Sequence, residues 1–136
     1  MKSEVGSRES TVVFAKRNNV DVFRTIPNSL DQFTYYQPLS PNFPALDAMI
    51  TDGLLQFTVN PLHPIKGYEK LQSVIQLYDN VRPVKLFFFV PESVYPDFQK
   101  QQYDFKTVLP LEQFVVKVVV GLSLATRGRK RARILQ

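Results

Sequence analysis

Apolar and polar positions alternate along this chain in patterns that predict most of its elements. Thr11 to Ala15 (TVVFA) is β-branched and aromatic, which favours a strand. Asn18-Asn19 marks a turn, and Val20 to Thr25 reads as a second strand or a short helical turn. Asn28 or Ser29 is a candidate cap for a brief helix over NSLDQF. Phe33 to Leu39 (FTYYQPL) is strand-like and ends beside a proline. Two apolar runs follow, ALDAMI (Ala45 to Ile50) and LLQFTV (Leu54 to Val59). The Asp-Gly between them predicts an antiparallel hairpin. Ile65, Tyr68, Leu71, Ile75 and Tyr78 recur at three- and four-residue steps, predicting a helix over 65–78 that Asn80 and Pro83 end. Val84 to Pro91 (VKLFFFVP) has the length and continuity of a strand buried on both faces. A further strand is expected over Phe105 to Pro110, and LEQFVVKVVV (Leu111 to Val120) closes the fold. A hairpin, a helix and a strong strand after it make an α/β class with a central sheet and a βαβ crossover.

Polar residues interrupt the hairpin. Side chains alternate faces in a strand, so Ala45, Asp47 and Met49 share one face, and Leu54, Gln56 and Thr58 share the facing one. The other set (Leu46, Ala48, Ile50; Leu55, Phe57, Val59) is wholly apolar and is expected to face the core. A carboxylate, an amide and a hydroxyl would then converge at one sheet edge. Magnesium takes oxygen ligands, often one or two carboxylates completed by water and phosphate. Asp47 and Gln56 are therefore candidate ligands for Mg. The alternative is ordinary: Asp47 accepts backbone N–H bonds, while Gln56 and Thr58 face solvent.

Composition narrows the chemistry. With no cysteine and one histidine in 136 residues, thiolate and His-rich zinc sites are excluded within one chain. The net charge of +5 is local. Arg127, Arg129, Lys130, Arg131 and Arg133 fall within RGRKRAR, and without them the chain balances 12 basic against 12 acidic residues. This run reads as nucleic-acid contact or nuclear import, or as a solvated terminus. MKSEVGSRES has no apolar core of the kind a secretory signal carries. FVVKVVVGLSLA (Phe114 to Ala125) is too short, with a lysine inside, to span a bilayer, so no membrane partner is expected. The expected organisation is a disordered lead-in over 1–10, a domain over 11–125 and a basic tail over 126–136.

The stretch YYQPLSPNFPALDAMI…GLLQFTVNPLHPIK resembles the C-terminal effector domain of the Crinkler proteins, and more loosely the retrotransposon hot spot proteins of trypanosomatids. The likeness runs from Tyr35 to about Val90. It implies a restriction-endonuclease-like fold with a central mixed sheet, related to the PD-(D/E)xK nucleases. On this resemblance Asp47 takes the position of the metal-binding aspartate and Gln56 that of the Glu/Gln. Thr58 stands where a lysine is usual and cannot carry its charge. Lys66, at the start of the next helix, is a candidate substitute, and His63 in the intervening loop is a candidate phosphate contact or general acid. The resemblance implies an effector secreted into a host cell and acting in its nucleus in virulence. Two functions follow as expectations. One is a Mg-dependent nuclease acting on nucleic acid, DNA foremost. The other is a non-catalytic module of nuclease fold that binds DNA or a host nuclear protein. Eleven Phe and six Tyr leave room for an apolar surface serving a homodimer or a host-protein contact.

Overall fold

The computed structural model describes residues 9–79, 81–118 and 128–136, with 128–130 given by backbone alone. The strands are β1 (Glu9–Phe14), β2 (Asn19–Phe23), β3 (Thr34–Pro38), β4 (Ala48–Ile50), β5 (Gly53–Phe57), β6 (Val84–Pro91), β7 (Leu111–Val118) and β8 (Gly128–Leu135). They form one mixed sheet in the order β1-β8-β7-β6-β5-β4-β3-β2. Helix α1 (Tyr68–Ile75) crosses from β5 to its parallel neighbour β6. β6 pairs in parallel with β7, and β2 with β3; the remaining pairs are antiparallel. The architecture is α/β, with the expected hairpin at β4–β5 and the expected crossover at β5–α1–β6.

The helix is shorter than its apolar stripe. Gly67 sits at its start with φ of 75°, and a Cβ there would lie 2.8 Å from the Pro44 ring. Backbone handedness and packing both demand glycine at this position. Ile65 is left to pair as extended chain, accepting from Asp104 N at 2.8 Å and donating to Gln102 O at 2.9 Å. Beyond Ile75 the chain tightens, with Leu77 N and Tyr78 N bonding to carbonyls three residues back. The stripe residues Ile65, Leu71, Ile75 and Tyr78 are still all buried.

Both faces of the sheet are covered. On one, Met49, Leu54, Leu86, Phe88 and Val115 pack with Leu71, Val74 and Ile75 of α1 and with Phe98. On the other, Ala48, Ile50, Leu55, Phe87, Val116 and Ala132 form a smaller cluster against Phe14, Phe89 and Phe114. The cover of this second face comes from β1. Two strands separate β1 from β6, about 14 Å on a flat sheet, yet the Phe14 and Phe87 rings meet at 5.1 Å. The β8–β1 edge therefore folds back over the sheet. Just beyond β1, the Arg17 guanidinium bonds Thr51 Oγ1 at 3.1 Å and Asp52 Oδ1 at 2.6 Å in the β4–β5 turn.

Several expectations are corrected. Of the apolar set of the hairpin, only Leu46 joins the main core. Met49, Leu54 and Gln56 point under α1, while Ala48, Ile50 and Leu55 meet the smaller cluster; Phe57 and Val59 are exposed. With both faces covered, alternation cannot say which one holds the helix. Residues 28–33 form no helix, because Asp31 turns its carboxylate onto Phe33 N and Thr34 Oγ1. Residues 105–110 form no strand, because Phe105 packs against Tyr68 and Tyr103, both at 5.1 Å. The basic tail is β8, an interior strand between β1 and β7. Of the expected lead-in, Glu9 and Ser10 open β1, and residues 1–8 lie outside the described residues. Among the described residues no helix is long and apolar enough to cross a membrane.

Candidate functional site

Asp47, Gln56, His63 and Lys66 line one cleft of about 270 Å3, walled by Phe43, Pro44, Leu62 and Pro64. The hairpin supplies the first two residues and the β5–α1 loop the other two. Asp47 is exposed just before β4. Its backbone N donates to Leu55 O at 2.9 Å, and its Oδ2 accepts from Phe57 N at 2.7 Å. The carboxylate thus extends the β4–β5 ladder by one bond at the rim of the cleft.

Gln56 does not face solvent. It is buried on the helix side of β5, and its Nε2 donates to Ala45 O at 2.8 Å. That bond orients the amide, turning Oε1 to His63 Nε2 at 3.1 Å. An amide oxygen only accepts, so His63 carries its proton on Nε2 and keeps the lone pair on Nδ1. Burial lowers the His63 pKa below its ordinary 6.5; Asp47 opposes this shift and Lys66 adds to it. The ring is thus mostly neutral at pH 7.

Thr58 is not part of the group. Its hydroxyl donates to Asn60 O at 3.2 Å and accepts from Asn60 N at 3.0 Å, closing a local turn. It borders instead an apolar hollow of about 420 Å3 lined by Phe57, Val59, Phe89, Val90, Pro91 and Val118. Arg127 lies outside the described residues, and Arg129 and Lys130 are described by backbone alone. Arg131 and Arg133 belong to β8 and stand apart from the cleft.

Sequence reading missed the two glutamines that hold the His63 loop. Gln101 Oε1 accepts from His63 N at 2.6 Å, and its Nε2 donates to Pro61 O and Gln99 O. Gln113, on β7, grips Gln101 in turn: its Oε1 accepts from Gln101 N at 2.8 Å, and its Nε2 donates to Gln101 O at 3.0 Å. Both glutamines are buried. A signal existed at Gln113, a polar residue on the inward face of an apolar strand, as at Gln56.

No family model, curated protein or solved structure matches the chain.

The donor set can be tested against a divalent ion. By chemistry alone, a carboxylate at Asp47 and an amide oxygen at Gln56 are the hard donors that would hold magnesium weakly, with substrate phosphate and water needed to complete the set. Among the described residues no three His, Cys, Asp or Glu side chains group tightly enough to hold a metal alone.

Proposed function

We propose that this chain is a nuclease-like domain of the Crinkler effector type, hydrolysing phosphodiester bonds of nucleic acid, DNA foremost, in the host nucleus. One observation carries the reading: a carboxylate, a neutral histidine and a lysine share a single cleft with Gln56. A bound divalent ion would polarise the phosphodiester and acidify a water. His63 Nδ1 accepts a proton from the attacking water as the new P–O bond forms, and the leaving oxygen takes a proton from a solvent water as its own bond to phosphorus breaks. Gln56 positions His63 by fixing its tautomer. Lys66 offsets charge on the phosphate, the task for which Thr58 has neither charge nor orientation.

A second reading is favoured by one feature. Gln56 Oε1 is already engaged by His63, so a single carboxylate must do most of the metal binding. On that reading the chain is a non-catalytic relative that binds DNA or a host nuclear protein.

Cleavage of labelled DNA and RNA across a magnesium and manganese titration separates the two. Asp47→Asn is the informative variant, since an amide oxygen can still accept from Phe57 N and preserve the hairpin. The nuclease reading expects metal-dependent cleavage by the parent, background activity in Asp47→Asn, and a loss of roughly 100-fold or more in His63→Asn. Equal activity in parent and Asp47→Asn, or none in either, ends it.

A further inference from the structure

The pairing register joins the cleft to a distant part of the sheet. Gln56 pairs with Phe88, Phe88 with Val115, and Val115 with Arg133. Directly paired residues share a face, so Arg133 lies on the helix side, three strand spacings from Gln56, about 14 Å along the sheet. Val90 pairs with Lys117 one step further along that face. In β8, Arg131 and Arg133 flank Ala132, which belongs to the opposite cluster, so both arginines face the helix side.

Two of these cations stand over the Tyr95 ring, and Arg131 pairs with Glu9 nearby. Lys117 Nζ sits 5.2 Å from the ring centroid and Arg133 Cζ 5.0 Å. Arg133 is anchored, donating to the carbonyls of Tyr95 and Phe98. Arg131 is different: 64% of its side chain is exposed, and its partner is Glu9 at 2.8 Å. The Tyr95 side chain is buried, and among the described residues its hydroxyl meets no partner in hydrogen-bond geometry, although Glu9 lies near enough to act on it. Positive charge is thus concentrated at one corner of the sheet, with the Glu9 carboxylate drawn in.

We infer that Lys117, over the Tyr95 ring, and Arg131, in the adjoining strand, form a phosphate-backbone contact surface for a nucleic acid that also occupies the cleft. The choice of occupant rests on the proposed nuclease reading. Charge complementarity selects a polyanion, and the chemistry proposed for the cleft, three strand spacings away, makes that polyanion a nucleic acid. The cleft and the corner would therefore hold one strand at two points, the corner contributing affinity and direction but no chemistry. Arg133 is a positioning residue here, since its guanidinium is occupied by carbonyls.

Anisotropy of a labelled 16-base-pair DNA duplex, titrated with the full chain in EDTA across a salt series, tests this with cleavage silenced. The double variant Lys117→Gln/Arg131→Gln should lower the slope of log K against log salt by about 1.8, or 0.9 for each lost phosphate contact. Lys16→Gln, an exposed lysine outside both the cleft and the corner, should leave that slope as in the parent, and matching thermal melts would show that the double variant is folded. An unchanged slope in the folded double variant overturns the inference, as does absence of binding by the parent at low salt. Competition by poly-glutamate as effective as that by unlabelled duplex overturns it too, because the surface would then be suited to acidic protein. The two readings fail separately. A lowered slope without any metal-dependent cleavage removes the nuclease and keeps this surface; cleavage with an unchanged slope does the reverse.

Discussion

Gln56 and Arg133 lie on the same cross-strand row on the helix side of the sheet, with Phe88 and Val115 between them. Both are polar groups on a largely apolar face, and both are satisfied by loops that cross it. Their manner of satisfaction differs. Gln56 is neutral and divides its amide between Ala45 O and the His63 ring, leaving charge at the cleft rim on Asp47 and Lys66. Arg133 brings its charge onto the face and holds it with carbonyls and an aromatic ring. One end keeps reactive groups available, and the other consumes a cation as structure. The sheet is the same, so the loops decide which outcome follows, by offering carbonyls to one group and a histidine to the other.

The shared middle of the row gives the largest expected effect. Phe88 is fully buried, 6.0 Å from the His63 ring and 5.2 Å from the Phe98 ring. Phe88→Ala should cost about 3–5 kcal/mol in denaturant unfolding. It should also disturb both ends together, the His63 resonances as well as the chain around Phe98. A loss confined to one end would show that the two regions are independent despite their register.

A smaller effect separates two neighbours in β8. Arg133→Gln removes charge-assisted bonds to the carbonyls of Tyr95 and Phe98 and should cost about 1–3 kcal/mol. Arg131→Gln breaks only an exposed pair with Glu9 and should cost less than about 1 kcal/mol. Chemical denaturation of the two variants side by side checks the contrast. Equal costs would mean that Arg133 is no more structural than its neighbour.

The same two ends differed in how far they could be read from sequence. At the cleft, Asp47 and Gln56 stood out because each broke an apolar run, and the Asp-Gly turn placed them opposite each other. Their facing was still misjudged. Deciding it required knowing that β1 folds back over the second face, and that depends on Phe14 meeting Phe87 from a strand far away in the chain. At the corner, the density of basic residues concealed a strand. Ala132 and Leu135 are buried between exposed or half-buried neighbours, but Arg-Ala-Arg has too little apolar content to signal this. What makes it a strand is pairing with β1 and β7, which are non-local partners. The helix showed the converse limit. Four of its five stripe residues are buried and Tyr68 is half-buried, but the stripe overstated the helical length, since the need for glycine against Pro44 comes from tertiary packing.

Gln113 and Gln101 carry the comparison into the loop that presents His63. Gln113→Leu fills similar space but leaves the Gln101 backbone N–H and carbonyl without their partners. The expected cost is about 1–3 kcal/mol, and the His63 backbone amide, which bonds Gln101, should exchange faster with solvent. Protection unchanged in a destabilised variant would place the loop's support elsewhere.

The finest test uses the fact that His63 is the only histidine in the chain. Its ring nitrogens and carbon-bound protons can be titrated by NMR without assignment ambiguity. The pKa should fall below 6.5, with burial the main cause. Asp47→Asn should lower it further by removing an opposing negative charge, and Lys66→Gln should raise it by removing a neighbouring positive one. The sign for stability follows. As pH drops through 6.5 the unfolded chain binds the proton first, so this histidine's contribution erodes between 6.5 and the lower folded value, then levels off. Nitrogen shifts should report the Nε2–H tautomer in the parent, and Gln56→Leu should release the ring to mix both forms. A parent ring already mixed would show that the Gln56 amide does not orient His63, and the cleft would lose the feature that sets it apart from the Arg133 corner.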